Sequence, residues 1–299
     1  MIFSSCSIND VEILIYRDDL NHPKVSGNKL HKLTPNLELA KTKQCSTVLS
    51  FGGPYSNHLH ALAYACKERG LASIGMVRGE LHEDLTPTLQ DCQQWGMKLI
   101  PVQRRLYREF QEMLATYAEP CLASDLAISL TTDIPSATLV IAEGGSNMLA
   151  IQSIANAYKK VFQATECKNI THAICATGTG ASLAGLYKAV PEFVDVIGIQ
   201  AVAEQEATLN RVYHWLGMKP QNLKVAEGHL GGFGRTPAAL LRFIEAFEAT
   251  YNIPLDPIYN GKALFKVNAM IAAKQLKQSD KILYIHTGGL QGMRSIKGK

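Results

Sequence analysis

The chain has 299 residues, 46% hydrophobic and 19% charged, enough to bury a core in one large domain or two smaller ones and too apolar for a disordered chain. Its net charge of +4 is small and its lysines and arginines are scattered, which excludes the basic footprint of a nucleic-acid binder. No uninterrupted apolar run is long enough to span a bilayer, and "MIFSSCSIND" lacks the basic-then-apolar pattern of a signal peptide, so a cytoplasmic protein with no membrane partner is expected.

In chain order, the β-rich runs are "EILIYR", "STVLSFGG", "ASIGMVRG", "MKLIPVQ", "ATLVIAEGG", "HAICATGTG", "DVIGIQAV" and "KILYIHTGG". Between most of them lie helical patterns such as "NHLHALAYACKERG" and "NMLAIQSIANAYKKVF". Apolar strands separated by helices predict an α/β protein with mainly parallel sheets. One division is discontinuous, with residues 1–35 and 148–299 forming a larger domain and 36–147 inserted as a smaller one. The seven cysteines contain no CxxC pair and read as reduced, mostly buried thiols rather than a disulfide framework or a zinc site.

Four strands end in glycines: Gly52-Gly53, Gly144-Gly145, Gly178 with Gly180, and Gly288-Gly289. Ligands of an open parallel sheet sit beyond the carboxyl ends of its strands, where glycine lets backbone amides approach closely. A single such turn is ordinary in an α/β protein; four together point to a site. "CATGTGASLAGL" joins a strand to a helix, so its free amides, with Thr179 and Ser182, can cradle a phosphate. It is not a Walker A loop, because no lysine follows the glycines. It also departs from the dinucleotide fingerprint, with Leu183 where the third glycine belongs. A single phosphate fits better than a pyrophosphate, and a plain tight turn is the plainer alternative.

In "SFGGPYSNHLH", Ser56 and Asn57 stand at a helix start, as N-caps or as partners of a substrate carboxylate. His58 and His60 lie two apart, wrong for one helix face, with no acidic or cysteine ligand nearby in sequence, so no metal is expected. Tyr259 in "LDPIYNGKALF" reads by itself as a packed rim residue. His286, on a buried strand, reads as a structural histidine more readily than a general base, and Thr287 after it can hydrogen-bond a heterocycle. "KVSGNKLHKL" puts Lys29 and Lys32 three apart behind a glycine and an asparagine, a pair that alone is ordinary surface charge.

Six segments, "SGNKLHKL", "GGPYSNHLHALA", "EGGSN", "ATGTGASLAG", "DPIYNGK" and "HTGGLQG", share their order and approximate spacing with one family. From about Tyr16 to the C-terminus the chain resembles the pyridoxal-phosphate enzymes grouped as 1-aminocyclopropane-1-carboxylate deaminases and D-cysteine desulfhydrases. The resemblance implies the tryptophan-synthase-β-like fold, with two open, mainly parallel sheet domains, and pyridoxal 5'-phosphate as cofactor. It implies that Lys29 bonds covalently to the cofactor and that Lys32 and the turn of Thr179, Gly180, Ala181 and Ser182 grip its phosphate. It further implies that Asn57 bonds the ring hydroxyl oxygen and Thr287 lies near the pyridine nitrogen. It implies, too, that Ser56 handles the substrate carboxylate or a proton and that Tyr259 corresponds to the active-site tyrosine.

Chemistry is consistent with these roles. A lysine that attacks an aldehyde must be neutral, and a helix N-terminus disfavours its ammonium form. Spacing of three puts Lys32 on the same helix face. Lys29, Ser56 and Tyr259 are then the available proton carriers. The deaminase branch typically has Glu where this chain has Asn260 and Leu where it has Thr287, which favours the desulfhydrase branch. Phe233, in "GGFGRTP", replaces a second family tyrosine. The expected reaction is α,β-elimination from a small amino acid such as D-cysteine, giving pyruvate, ammonia and sulfide, in a homodimer. Cyclopropane ring opening to 2-oxobutanoate is the runner-up. From other classes come a pyridoxal-phosphate-binding protein with little catalysis and, less favoured for want of the third glycine, an α/β nucleotide binder.

Overall fold

The computed structural model describes residues 1–115, 117–126, 134–203, 205–232 and 234–295. Its elements run β1 (Phe3–Ile8), β2 (Val11–Tyr16), α1 (Asn28–Thr42), β3 (Thr47–Gly52), α2 (Asn57–Glu68), β4 (Ala72–Arg78), α3 (Pro87–Gln94) and β5 (Met97–Val102). They continue as α4 (Arg104–Leu114), β6 (Cys121–Leu122), β7 (Thr138–Ile141), α5 (Met148–Phe162), β8 (His172–Thr177), α6 (Ala181–Ala189) and β9 (Asp195–Gln200). The last are α7 (Gln205–Leu216), β10 (Leu223–Glu227), α8 (Ala238–Tyr251), α9 (Asn260–Ala272) and β11 (Ile282–Ile285).

These elements form two compact units. The first comprises Met1–His22, Ser26–Asn28 and Gln152–Met293; the second comprises Pro23–Val25, Lys29–Ile151 and the chain from Arg294 on. The first unit holds a six-stranded sheet in the order β1-β2-β11-β8-β9-β10. All its pairs are parallel except β1 with β2, which are joined by a tight turn and run antiparallel. The second unit holds a five-stranded sheet, β5-β4-β3-β7-β6, parallel except for the short β6 beside β7. The chain is thus an α/β protein with two mainly parallel sheets.

Burial explains the strand sequences. β3 and β11 are buried at every position, as expected for interior parallel strands covered on both faces. In the first unit Ile13, Ile15, Ile174, Ile199 and Tyr284 pack with Leu240, Ile244 and Leu264 of α8 and α9. In the second, Val48 and Leu139 join one apolar cluster while Leu49, Phe51 and Val140 join another, as the alternation of side chains across a pleated strand requires. All seven cysteines are buried and no disulfide joins them. Among the described residues no helix is long and apolar enough to cross a membrane.

Candidate active site

In the first unit, β8 ends at Thr177 and the chain turns through Gly178, Thr179 and Gly180 into α6. Gly180 caps α6 with φ +100°, and a Cβ there would lie 2.8 Å from Val212 Cγ2, so only glycine fits. The first-turn amides of α6 have no carbonyl within the helix to meet, and the helix dipole makes them favourable to an anion. The Ser182 hydroxyl, 4% exposed, accepts a hydrogen bond from Asn28 Nδ2 at 2.8 Å. A hydroxyl that accepts in this way keeps its own proton to donate. Gly178 packs against the Tyr259 ring, whose Cε1 would lie 3.3 Å from a Cβ at that position.

Tyr259 stands immediately before α9, whose start is held by Asp256. This fully buried carboxylate accepts the amides of Ile258, Tyr259 and Asn260 at 3.0, 2.7 and 2.9 Å, and the Asn260 side chain at 2.8 Å. Asn260 Nδ2 also donates to Gly288 O at 2.8 Å, while its Oδ1 accepts from the Thr287 amide at 3.2 Å and Tyr284 OH at 3.1 Å. Asn260 thereby fixes the chain on both sides of the Thr287–Gly288 bond, through the Thr287 amide and the Gly288 carbonyl, and a carboxylate in its place would have no donor for Gly288 O. Thr287 O accepts the Asn28 amide at 3.3 Å, and a Cβ on Gly27 (φ +66°) would collide with that carbonyl. His286 is structural: Nε2 donates to Pro254 O at 2.8 Å, and Nδ1 accepts the Gly288 amide at 3.3 Å.

In the first turn of α9, the fully buried Lys262 donates to His229 O at 3.1 Å and Gly232 O at 2.7 Å. Burial pushes its ammonium down to about 8, and the charge of Asp256 works against that shift. Phe233, the residue that departs from the family tyrosine, lies outside the described residues.

In the second unit, Lys29 occupies the first turn of α1 and is half-buried. Lys32, 3% exposed, donates from Nζ to Gly144 O at 3.2 Å. Its turn of helix is fixed from behind: Asn36 Nδ2 donates to Lys32 O at 2.6 Å, and Asn36 Oδ1 accepts from Asn147 at 2.8 Å. Gly144 and Gly145 both have positive φ, and a Cβ on Gly145 would lie 3.1 Å from His58 Cε1 and 3.4 Å from Lys32 Cβ. Ser56 is the N-cap of α2, accepting the Leu59 amide at 3.2 Å, and Asn57 opens the helix. Its capping role leaves the Ser56 proton to donate, the same arrangement as at Ser182.

His58 is held by Ser50 rather than by a metal-ligand set. The Ser50 hydroxyl donates to Ile141 O at 2.8 Å, so His58 Nε2–H donates to Ser50 Oγ at 2.8 Å and Nδ1 is the unprotonated nitrogen. That Nδ1 is buried and has no hydrogen-bond partner among the described residues. Burial first, then the charges of Lys29 and Lys32, hold His58 well below the ordinary histidine range, so the ring is neutral. His60 instead meets Asp91 at 3.0 Å, an acid remote in sequence that also accepts from Arg294 at 2.6 Å. Among the described residues no group of three or more histidines, cysteines or acids could hold a metal ion.

Each unit therefore brings its share of the expected residues together. The first groups Thr179, Gly180, Ala181, Ser182, Tyr259 and Thr287; the second groups Lys29, Lys32, Ser56 and Asn57 on helix starts at the carboxyl edge of its sheet. Sequence reasoning named Asn28, His58 and Asn260 but not the partners the structure gives them, Ser182, Ser50 and Asp256, and it gave Asp256 no role. For Asn28 the signal was present, since it precedes Lys29 in the same motif.

The model of one protein family, described as "Pyridoxal-phosphate dependent enzyme", matches residues 5–288. The chain belongs to this family of pyridoxal-phosphate dependent enzymes. A Pyrococcus abyssi relative, grouped by name with the 1-aminocyclopropane-1-carboxylate deaminases, is 27% identical over 95% of this chain and 86% of its own length. A Salmonella schwarzengrund D-cysteine desulfhydrase is 25% identical over 93% of this chain and 87% of its own. Among solved structures, an ACC deaminase homologue aligns with a TM-score of 0.76 at 23% identity, covering 96% of this chain and 87% of that one. A hydrogen sulfide-producing enzyme of Fusobacterium nucleatum aligns at 0.65 and 12% identity, covering 97% and 95%. At these identities the structural likenesses establish the fold of this pyridoxal-phosphate enzyme and no more.

The residues fit the cofactor. The α6 turn offers amides and a hydroxyl proton to a phosphate monoester, Gly180 leaves room that a Cβ would fill, and Lys29 stands at a helix start where an aldehyde could be received.

Proposed function

We propose that the protein is a lyase of the D-cysteine desulfhydrase type, eliminating the β-substituent of a small amino acid to leave pyruvate, ammonia and, from D-cysteine, sulfide. Bound pyridoxal phosphate supplies the electron sink for the pair left at the substrate α-carbon. In this reading Lys29 would hold the cofactor covalently, and its Nζ would take the α-proton of the substrate. Lys32 and Thr179, Gly180, Ala181 and Ser182 would hold the phosphate, Asn57 would bond the ring oxygen, and the Thr287 hydroxyl would serve the ring nitrogen. Ser56 Oγ donates to the substrate carboxylate beside the amides of α2, and Tyr259 delivers a proton to the departing group.

The observation that carries elimination over ring opening is the Asn260 hub. The amide at this position is held on both its oxygen and its nitrogen, and Asp256 already accepts four N–H groups. The group offered at Thr287 is then a neutral hydroxyl, a weaker aid to a carbanion than an acid would be. A thiolate departing from the adjacent carbon relieves the developing charge directly. Ring opening of 1-aminocyclopropane-1-carboxylate has no such leaving group and is the second reading, favoured by the names of the Pyrococcus relatives. By family resemblance the protein works as a homodimer in the cytoplasm.

The test is a product assay with purified protein, following sulfide and pyruvate from D- and L-cysteine beside 2-oxobutanoate from the cyclopropane amino acid. Sulfide and pyruvate from D-cysteine support the proposal. Turnover of the cyclopropane substrate alone selects the second reading, and silence across the panel leaves a cofactor-binding protein without this activity.

A further inference from the structure

Behind the glycine turn of the first unit lies a cation that no sequence motif marks. α7 packs along α6, and it aims Thr208 and Arg211, one helical turn apart, at the segment Gly178–Thr179. Thr208 is fully buried and its hydroxyl is saturated. It accepts from Gln200 Nε2 at 3.1 Å and Arg211 Nη2 at 3.0 Å, and donates to Gly178 O at 3.1 Å. Arg211 Nε donates to Thr179 O at 3.3 Å.

Two successive carbonyls are thereby drawn towards α7. In a planar trans peptide the N–H points opposite to its C=O. Fixing Gly178 O and Thr179 O on the α7 side therefore turns the amides of Thr179 and Gly180 the other way, where they add to the free amides at the start of α6. Successive amides pointing into one concavity bind anions, and a guanidinium behind them adds positive charge to the same field.

We propose that Arg211 is a positioning residue of the phosphate subsite: through Thr179 O and Thr208 it aims the turn's amides at the phosphate monoester of the cofactor and supplies fixed positive charge behind them. The inference rests on the reading that this turn receives the phosphate. A purely architectural Arg211 would tie α7 to the turn without regard to what the turn binds. The two roles differ in one measurable respect: only the first depends on the ligand having a phosphate.

The experiment compares pyridoxal phosphate with pyridoxal, which lacks the phosphate. The full-length protein is stripped of cofactor and titrated with each, following absorbance, in wild type, Arg211→Met, Arg211→Lys, Thr208→Val and Ser182→Ala. The phosphorus resonance of bound cofactor and the melting temperature are recorded for each. The proposal expects Arg211→Met to weaken pyridoxal phosphate binding by about tenfold, the scale of one lost hydrogen bond to a charged group, while pyridoxal binding is unchanged. Thr208→Val should show the same selectivity more weakly, and Arg211→Lys should recover part of the loss, because it restores charge without the two-pronged link. Ser182→Ala tests the underlying reading, since its hydroxyl belongs to the turn itself. If Ser182→Ala lowers the preference for the phosphate and Arg211→Met does not, the turn is the phosphate site and the role given to Arg211 is wrong. If neither changes it, the turn is not the phosphate site and both readings fall. Equal losses for both ligands with a lower melting temperature make Arg211 architectural and overturn the proposal.

Discussion

The Asn28 side chain donates to the Ser182 hydroxyl at 2.8 Å, a buried bond between residues 154 positions apart. Asn28 precedes the candidate cofactor lysine, and Ser182 lies in the candidate phosphate turn. One bond thus sets the direction of the Ser182 proton and anchors the residue to which Lys29 is joined.

Replacing Asn28 with alanine removes a donor and leaves Ser182 Oγ free to rotate. The expected cost is roughly 1–3 kcal/mol of unfolding free energy, the scale of a disrupted buried hydrogen bond. Retention of cofactor through gel filtration should fall with it. Denaturation and the absorbance ratio of the eluted protein measure the two effects, and a variant with wild-type stability and retention would contradict this role.

Asn260→Glu, which installs the glutamate of the deaminase branch, should fail to transplant that chemistry. Glutamate cannot donate to Gly288 O and would bring a second negative charge to the fully buried Asp256. The expected loss is about 3–5 kcal/mol, comparable to breaking a buried pair and leaving a charge uncompensated. Gain of cyclopropane deaminase activity in a stable variant is the contrary outcome, read by thermal melting and 2-oxobutanoate release.

The buried thiols predict alkaline lability. Burial pushes Cys6, Cys66 and Cys92 from 9.0 up to about 12, and Cys121 and Cys167 up to about 11. Because the folded values are raised, their contribution is complete below pH 9 and is lost as the unfolded thiols ionise above it. Lys262 acts in the opposite sense: its folded value of about 8 is below the ordinary 10.5, so its contribution rises with pH between those values. Five thiols outweigh one amine. Denaturation under reducing conditions should therefore show stability falling above pH 9, more steeply in Lys262→Met; a flat profile to pH 10.5 would refute the assignment.

His58 should remain a neutral Nε2–H tautomer well below pH 6.5, since burial and two lysines oppose its protonation. Its depressed folded value makes the unfolded state bind the extra proton first, so its share of stability falls as pH drops below 6.5. Nitrogen chemical shifts of the ring across pH 5 to 8 read this directly. Titration near 6.5 would mean the imidazole is not enclosed as described.

Much of the site was legible because it is local. Ser56 before an apolar helix, the glycines ahead of α6 and the "GNK" start of α1 are each signals within a few residues, and each became a helix start. Arg211 and Thr208 were not legible, since nothing near them in sequence refers to Gly178 and Thr179, about thirty residues earlier. His58 and His60 look alike on paper, yet Ser50 claims one and Asp91 the other. β1 was missed because Ser4, Ser5 and Ser7 mask its alternation, and β10 because its exposed Lys224 and Glu227 mark a sheet edge. Interior strands such as β3 and β11, mostly apolar and buried throughout, were plain.

The most direct test of the whole account is to locate the cofactor's covalent bond. The purified holoenzyme is reduced with borohydride, digested, and its peptides are mapped by mass spectrometry. The account predicts the pyridoxyl phosphate adduct on Lys29 alone, and no adduct in Lys29→Ala; attachment at Lys32, Lys262 or any other lysine would contradict it.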